Sequence, residues 1–259
     1  MKKSKENYFQ INSIIKLFQM LETLVGREDW ELATLADEVD IPKSTVLRML
    51  LTLKKLGYVD QIETGKRYYA TTKLFETGSK AIPYINVFKL AQPVMADLVE
   101  KCGESVYLSV LSGIEIVIIS KNTSKHYIRS DSYVGDHFLS YLSSGGKALL
   151  SAMTKEDRAQ LFKGHKFELM THKGISTFDE LERDIEKTIA RGYALLDEES
   201  ALGIRSVGVP ILNHRCEPVA ALSAAAPSAR IPFKKISNHG KLVAAAGVEI
   251  SKKLGCPKV

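Results

Sequence analysis

Cysteine is scarce in this chain: its 259 residues hold three, Cys102, Cys216 and Cys256, far apart and without CxxC spacing. An odd, scattered set points to neither a disulfide framework nor a thiolate zinc site. The six histidines offer no HxxxH or HExxH pairing, so neither a metal nor a cofactor is expected. No run of about eighteen apolar residues exists to cross a bilayer. The opening MKKSKENYFQ has the lysines of a signal peptide, but a polar stretch replaces the apolar core and cleavage site. The expected location is the cytoplasm, with no membrane partner. Internal repeats and low-complexity tracts are missing too, and a formal net charge of +6 is too small to identify a partner by itself.

What the sequence does hold is pattern. A hydrophobic fraction of 45% supplies real cores, and 259 residues favour two domains of ordinary size. Residues 32–39 form a short helix candidate, Ile41-Pro42 a tight break, and residues 44–56 a second helix. A two-stranded ribbon then folds back through Glu63, Thr64, Gly65 and Lys66. In the second helix Val46, Met49, Leu50, Leu53 and Leu56 recur at three- and four-residue spacing, giving one apolar face to dock on the first helix. The opposite face carries Ser44, Leu47, Arg48, Thr52 and Lys55. Such an arrangement of helix, break, helix and ribbon is a winged helix-turn-helix, whose expected partner is double-stranded DNA. Lys43, Ser44 and Thr45 open the second helix, where hydroxyls and backbone N–H groups suit a phosphate. Arg48, one turn on, reaches base edges; Thr52 continues the face, and Lys66 and Arg67 hold the backbone from the ribbon. Leu47 has two readings, contact with a thymine methyl or packing within the domain.

Charge is distributed accordingly. From Glu22 to Asp40 the acids are Glu22, Glu28, Asp29, Glu31, Asp37, Glu38 and Asp40, against Arg27 alone. From Lys43 to Lys73 the bases Lys43, Arg48, Lys54, Lys55, Lys66, Arg67 and Lys73 oppose Asp60 and Glu63. A basic recognition helix and ribbon beside an acidic supporting helix present one positive surface to a polyanion.

Residues 11–24 form an amphipathic helix with more apolar positions (Ile14, Ile15, Leu17, Phe18, Leu21, Leu24) than one domain needs, which points to a homodimer or homotetramer. Residues 72–101 read as a helical connector broken at Pro83, with Pro93 in the first turn of its second part. The main boundary is expected near Ile82. In detail, residues 1–75 are the DNA-binding domain, 76–92 a helical linker and 93–259 a second domain. That domain is α+β: strands at 106–110 and 114–118 around the Ser112-Gly113 turn, and helices at 145–153 and 177–191. Strands at 193–196, 206–212 and 219–224 and a helix at 234–254 complete it. Thr177 and Glu180 have capping-box spacing, and Gly192 closes their helix. Strands at both ends around central helices predict one antiparallel sheet with helices packed on it.

Over nearly its whole length the chain resembles the IclR family of bacterial transcriptional regulators. The resemblance is carried by Ile41-Pro42-Lys43-Ser44-Thr45-Val46, Arg48-Met49-Leu50, Thr52-Leu53 and Gly57-Tyr58-Val59. Further on it lies in Gly103-Glu104-Ser105-Val106-Tyr107-Leu108, Gly146-Lys147-Ala148-Leu149-Leu150, Arg191-Gly192-Tyr193, Glu198-Glu199, Gly203-Ile204, Pro210 and Ala220-Ala221-Leu222-Ser223. It implies a winged helix-turn-helix, a linker helix and an effector-binding domain with a GAF-like or profilin-like sheet. It also implies dimers, often paired into tetramers, on palindromic operators. The effector, a small organic acid or aromatic catabolite, would sit in a cup matched here by Ser144, Gly145, Gly146, Leu196, Asp197, Ile204, Ser206, Ser223 and Ala225, with Tyr127 and Arg129 upstream. Leu139, Tyr141, Ser144 and Ala225 depart from the residues usual in the family, so a relative's ligand does not carry over. Arg129 suits a second carboxylate or is simply an exposed strand arginine.

Two other readings compete. Ser144 and Lys147 have the S-x-x-K spacing of serine acylases, and Ser130-Asp131-Ser132 resembles that group's second motif, but no Lys-Thr-Gly follows and the helix-turn-helix is left unexplained. Outside that reading, Lys147 is expected to be a partly exposed lysine at a helix start. Alternatively the second domain only oligomerises, though it is longer than that task needs. A regulator rather than an enzyme is the expectation.

Overall fold

The computed structural model describes residues 11–62, 66–81 and 85–257. The opening decapeptide, the ribbon tip Glu63-Thr64-Gly65, the break at Pro83 and the boundary near Ile82 lie outside them. The chain divides into two compact units, Met1–Pro83 and Tyr84–Val259.

In the first unit α1 (Asn12–Val25), β1 (Trp30–Glu31), α2 (Leu32–Glu38), α3 (Lys43–Leu56), β2 (Val59–Ile62), β3 (Arg67–Ala70) and α4 (Lys73–Ala81) follow in order. The strands form a small antiparallel sheet in the order β1-β3-β2. Val46, Leu50 and Leu53 of α3 meet Leu35 of α2 and Met20 and Leu24 of α1 in one core. Each such aliphatic, fully buried, contributes about 1.5–3 kcal/mol. The tight break is built on Asp40, which takes a left-handed conformation (φ 52°), and Ile41 N–H donates to Ala36 O at 3.2 Å. That bond closes α2 in the way glycine usually does, and the short polar side chain of Asp40 tolerates the geometry. Leu56 departs from the expected apolar face. It is 51% exposed, because α3 ends at Gly57 (φ 81°) and the chain turns away before anything covers it.

In the second unit α5 (Ile85–Cys102) precedes β4 (Ser105–Ser112), β5 (Glu115–Asn122), β6 (His137–Leu139), a 3-10 turn, α6 (Ser144–Ser151), α7 (Lys155–Leu161) and α8 (Phe178–Arg191). Then come β7 (Ala194–Asp197), β8 (Ile204–Leu212), β9 (Pro218–Pro227) and α9 (Phe233–Lys253). The six strands make one antiparallel sheet in the order β6-β5-β4-β9-β8-β7, as the sequence pattern predicts. Alternation sorts its two faces. Val106, Leu108, Val207, Val209, Leu222 and Ala224 face α5 and α9 in the main core. Tyr107, Ser109, Ser206 and Ser223 share the other face, where α6 begins. Short elements with little periodicity, β1, β6 and α7, are not legible in the sequence.

Two local expectations are corrected. α5 starts at Ile85, so Pro93 lies in its interior rather than its first turn. The ring removes one helical hydrogen bond, a loss the buried Ala91, Val94, Met95 and Leu98 offset by packing on the sheet. At the start of α8 the Thr177 side chain accepts from Glu180 N–H as expected, but Glu180 returns its carboxylate to Ser176, on N–H and Oγ, both at 2.8 Å. The capping box is displaced by one residue, with Glu180 reaching the residue before the N-cap.

Candidate functional site

The face of the first unit expected to meet DNA is built on α3. With Val46, Leu50 and Leu53 buried, the opposite ridge falls on Ser44, Arg48, Leu51 and Lys55, all exposed. Leu51 belongs to this ridge although its chemistry drew no attention in the sequence. Leu47 is half-buried and packs against the core, as its packing reading expects. Thr45 is half-buried, and Thr52 Oγ1 donates to Arg48 O at 2.7 Å. No side chain caps the N-terminus of α3, and no acid lies in its first turn, so the N–H groups near Lys43 and Ser44 remain available for a phosphate. Lys66 and Arg67 are exposed where the chain leaves the ribbon tip. Part of the positive charge is already matched: Lys54 pairs with Asp60 at 2.9 Å and Arg67 with Asp29 at 2.9 Å. Lys43, Arg48, Lys55 and Lys66 have no ion pair among the described residues.

On the sheet face under α6 the second unit holds a cavity of about 230 Å³. Its wall has an apolar half, Ile116, Ile118, Phe138, Leu142, Leu196, Ile204 and Ala225, and a hydroxyl half, Tyr107, Ser109, Ser130, Ser132, Ser143, Ser144, Ser200, Ser206 and Ser223. Lysine, arginine and histidine are missing from the described lining. The start of α6 is pressed onto the sheet by absent side chains. A Cβ on Gly208 would lie 2.6 Å from Ser144 O, one on Gly145 2.8 Å from Ser109 Oγ, and one on Gly146 2.2 Å from Ser140 O. Ser143 caps α6 by accepting from Gly146 N–H at 3.0 Å, and Lys147 N–H donates to Ser143 O. Ser109 Oγ is buried and has no hydrogen-bond partner. A buried hydroxyl left without a partner is costly, about 1–3 kcal/mol.

Of the positions read from sequence, Ser144, Gly145, Leu196, Ile204, Ser206, Ser223 and Ala225 do line the cavity. Four others do not. Tyr127 is wholly exposed. Arg129 is exposed and turns to His126 O at 3.2 Å and toward Asp131. Asp197 is held by Arg205 at 2.5 Å, and Gly146 faces the Ser140 backbone with its N–H already capped. Ser109, Ser130, Ser132 and Ser200 were missed. Only strand register places Ser109, and residues 130 and 132 come from an irregular strap over the sheet. Among the departures from family usage, Tyr141 is buried against Phe162, His165 and Phe167, and Leu139 packs beside it, both away from the lining.

Lys147 is wholly buried rather than partly exposed. Its ammonium meets Glu199 at 2.5 Å, Asp184 at 3.0 Å and Leu195 O at 3.2 Å. It donates to Glu199 and Leu195 O and lies beside the Asp184 carboxylate, and among the described residues no hydrogen bond joins it to Ser144, so the geometry gives the acylase reading no support. Burial pushes the Glu199 carboxyl up, against the opposing pull of Lys147. Next to it Glu198 is depressed to about 2 by Lys173, the Ser228 hydroxyl and Gly203 N–H. These neighbours fix residues 198–203, which bring Ser200 to the cavity.

An N-terminal winged helix-turn-helix with a bare helix N-terminus, followed by an α+β unit with a hydroxyl-lined cup, is the architecture of a DNA-binding transcriptional regulator. Comparison with known proteins gives the family. Residues 13–63 match the IclR helix-turn-helix domain and residues 79–252 the bacterial transcriptional regulator IclR C-terminal domain, and the chain belongs to the IclR family. It is 28% identical over 245 residues to the HTH-type transcriptional regulator KdgR of Escherichia coli, covering 95% of this chain and 93% of that protein. Against the transcriptional repressor IclR of the same organism the identity is 29%, covering 93% and 89%. The crystal structure of the Thermotoga maritima IclR superposes with a TM-score of 0.82 at 29% identity, over 95% of this chain and 100% of that one. Among the described residues no helix is long and apolar enough to cross a membrane.

Proposed function

We propose that the protein is a ligand-responsive regulator whose cup takes a small carboxylate bearing hydroxyl groups, and whose occupancy changes its affinity for a twofold-symmetric operator. The observation that carries this reading is the cavity wall: among the described residues it has nine that bear hydroxyls and no cationic side chain, with Ser109 Oγ unpartnered. At about 230 Å³ it is small beside the roughly 300–1,000 Å³ of drug-sized sites. A carboxylate would take the N-terminal N–H groups of α6 at Ser144 and Gly145, where the helix dipole substitutes for an arginine. The serines then suit the hydroxyls of the same molecule, and Ile116, Ile118 and Ile204 its carbon chain. A wall so rich in hydroxyl groups exceeds what a purely oligomerising domain requires, which favours sensing.

Twofold assembly is supported by α1, where Ile11, Ile14, Ile15 and Phe18 are exposed. An apolar groove lined by Leu17, Phe18, Leu21, Leu53, Leu56 and Leu74 lies beside them. A surface of this kind on a DNA-binding unit suits a second copy, and a dimer or dimer of dimers would present paired recognition helices to paired half-sites.

The test is a melting-temperature screen of the full chain against glycerate and gluconate, with glycerol and sorbitol as uncharged counterparts. A bound acid at about a hundred times its dissociation constant adds roughly 2.7 kcal/mol. Stabilisation by a hydroxycarboxylate and not by its polyol supports the reading; stabilisation by polyols alone removes the carboxylate from it.

A further inference from the structure

The β8–β9 turn runs through Asn213, His214, Arg215 and Cys216. Cys216 N–H donates to Asn213 O at 2.8 Å, and Asn213 N–H to Glu217 O at 3.0 Å. Cys216 holds φ 61°, the left-handed position of this hairpin type that normally goes to glycine because a Cβ is unfavourable there. A side chain kept at such a position despite its cost is a reason to ask what it does. Its sulfur lies 3.2 Å from that of Cys256, forty residues further on. Cys256 is buried and Cys216 half-buried.

The two segments are fastened independently of the sulfurs. Leu212 N–H, at the end of β8, donates to Ser251 Oγ on α9 at 3.0 Å. Cys256 N–H donates to Ser251 O at 3.0 Å, and Gly255 sits against His214. The thiols therefore meet on a preset frame. Both signs of charge surround them: Arg215 pairs with Glu217 at 3.0 Å and Lys253 with Glu249 at 2.7 Å. The third cysteine has a different environment: burial pushes the Cys102 thiol up, which makes it slow to react.

We propose that Cys216 and Cys256 form a reversible disulfide when the protein meets a peroxide, tying the end of α9 to the β8–β9 turn. The Cys216 thiolate attacks one peroxide oxygen and the O–O bond breaks, giving a sulfenic acid and, after proton uptake, water. The Cys256 thiolate then attacks the sulfenic sulfur and expels hydroxide, which takes up a proton to give a second water. Two thiols lose two electrons and two protons, and one hydrogen peroxide is reduced to two waters. Thiol reductants reverse the bond.

The experiment uses the full chain, treated with a small excess of hydrogen peroxide, alkylated and digested. The expected product is a peptide joining positions 216 and 256, loss of two of the three alkylatable thiols, and a mass lower by two hydrogens, all restored by dithiothreitol. Closing a loop of this length should raise the melting temperature of the oxidised form by about 10 °C. Cys216→Gly, which suits the left-handed turn and so preserves the fold, should lose the linked peptide and the melting shift, whereas Cys102→Ser should keep both. A cross-link through Cys102, a bridge between chains, or arrest at sulfenic or sulfinic acid without a linked peptide would overturn the proposal.

Discussion

Arg48 and Ser109 are the residues on which function is expected to turn most sharply. Arg48 stands in the middle of the exposed α3 ridge with no competing acid among the described residues. Arg48→Ala should weaken binding to a selected operator by about 1–3 kcal/mol and relax preference at one base position. Lys66→Ala should weaken all sequences alike and flatten the salt dependence by about one unit. Operator-variant titrations at two salt concentrations separate these outcomes; an Arg48→Ala protein with undiminished base discrimination would remove the arginine from base reading. Ser109→Ala deletes an orphaned hydroxyl, so the empty protein should be at least as stable as the parent while the ligand-induced melting shift falls. A variant that loses stability but keeps the full ligand shift would make Ser109 structural. The sequence made the first of these residues legible and hid the second. Arg48 announces itself by charge on a periodic helix, whereas Ser109 matters through strand register and the neighbouring Gly145, neither of which a local pattern reveals.

At the level of elements, the junction of α6 with β8 controls the cup. Gly208→Ala sets a methyl against the Ser144 and Gly145 backbone, which has no flexible end to give way. It should cost about 1–3 kcal/mol and reduce ligand response together with stability, as thermal melts with and without ligand would show. Gly145→Leu meets chiefly the Ser109 side chain, so it should abolish the ligand response with less damage to the fold. Residues 198–203 offer a pH test. Glu198 is depressed from 4.5 to about 2 by Lys173, Ser228 and Gly203, so its contribution is complete above about 4.5 and disappears as the pH falls toward 2. Glu199, raised by burial, works in the opposite sense, since protonation relieves its desolvation. The acid-side fall in melting temperature should therefore be shallower in Glu198→Gln than in the parent; equal slopes would mean that Glu198 does not hold the loop. Long periodic elements such as α3, α8 and α9 were legible from sequence. The start of α5 was not, because Pro93 is a strong local signal for a helix start and only tertiary packing shows that the helix runs through it. Lys147 was misread for a related reason: nothing local to residues 144–147 reveals that Glu199 and Asp184 converge on it from distant segments.

For the whole molecule, family membership makes the chain a DNA-binding regulator, and the remaining question is whether the cup and the recognition helix act on each other. Resemblance over nearly the full length makes the two-unit α+β architecture legible in the sequence. It does not supply the ligand, because part of the cup's lining, Ser130 and Ser132, comes from an irregular strap that no local pattern places. If the effector binds the DNA-competent and DNA-incompetent states unequally, thermodynamic linkage requires that operator and effector alter each other's affinity by the same factor, typically about 5–150-fold. The decisive measurement is that pair of titrations on the full chain. Operator affinity is measured with and without the stabilising hydroxycarboxylate, and hydroxycarboxylate affinity with and without operator duplex. Two equal ratios well away from one, both collapsing to one in Gly145→Leu, are expected; tight binding of the acid with both ratios at one in the parent protein would contradict a sensing role for the cup.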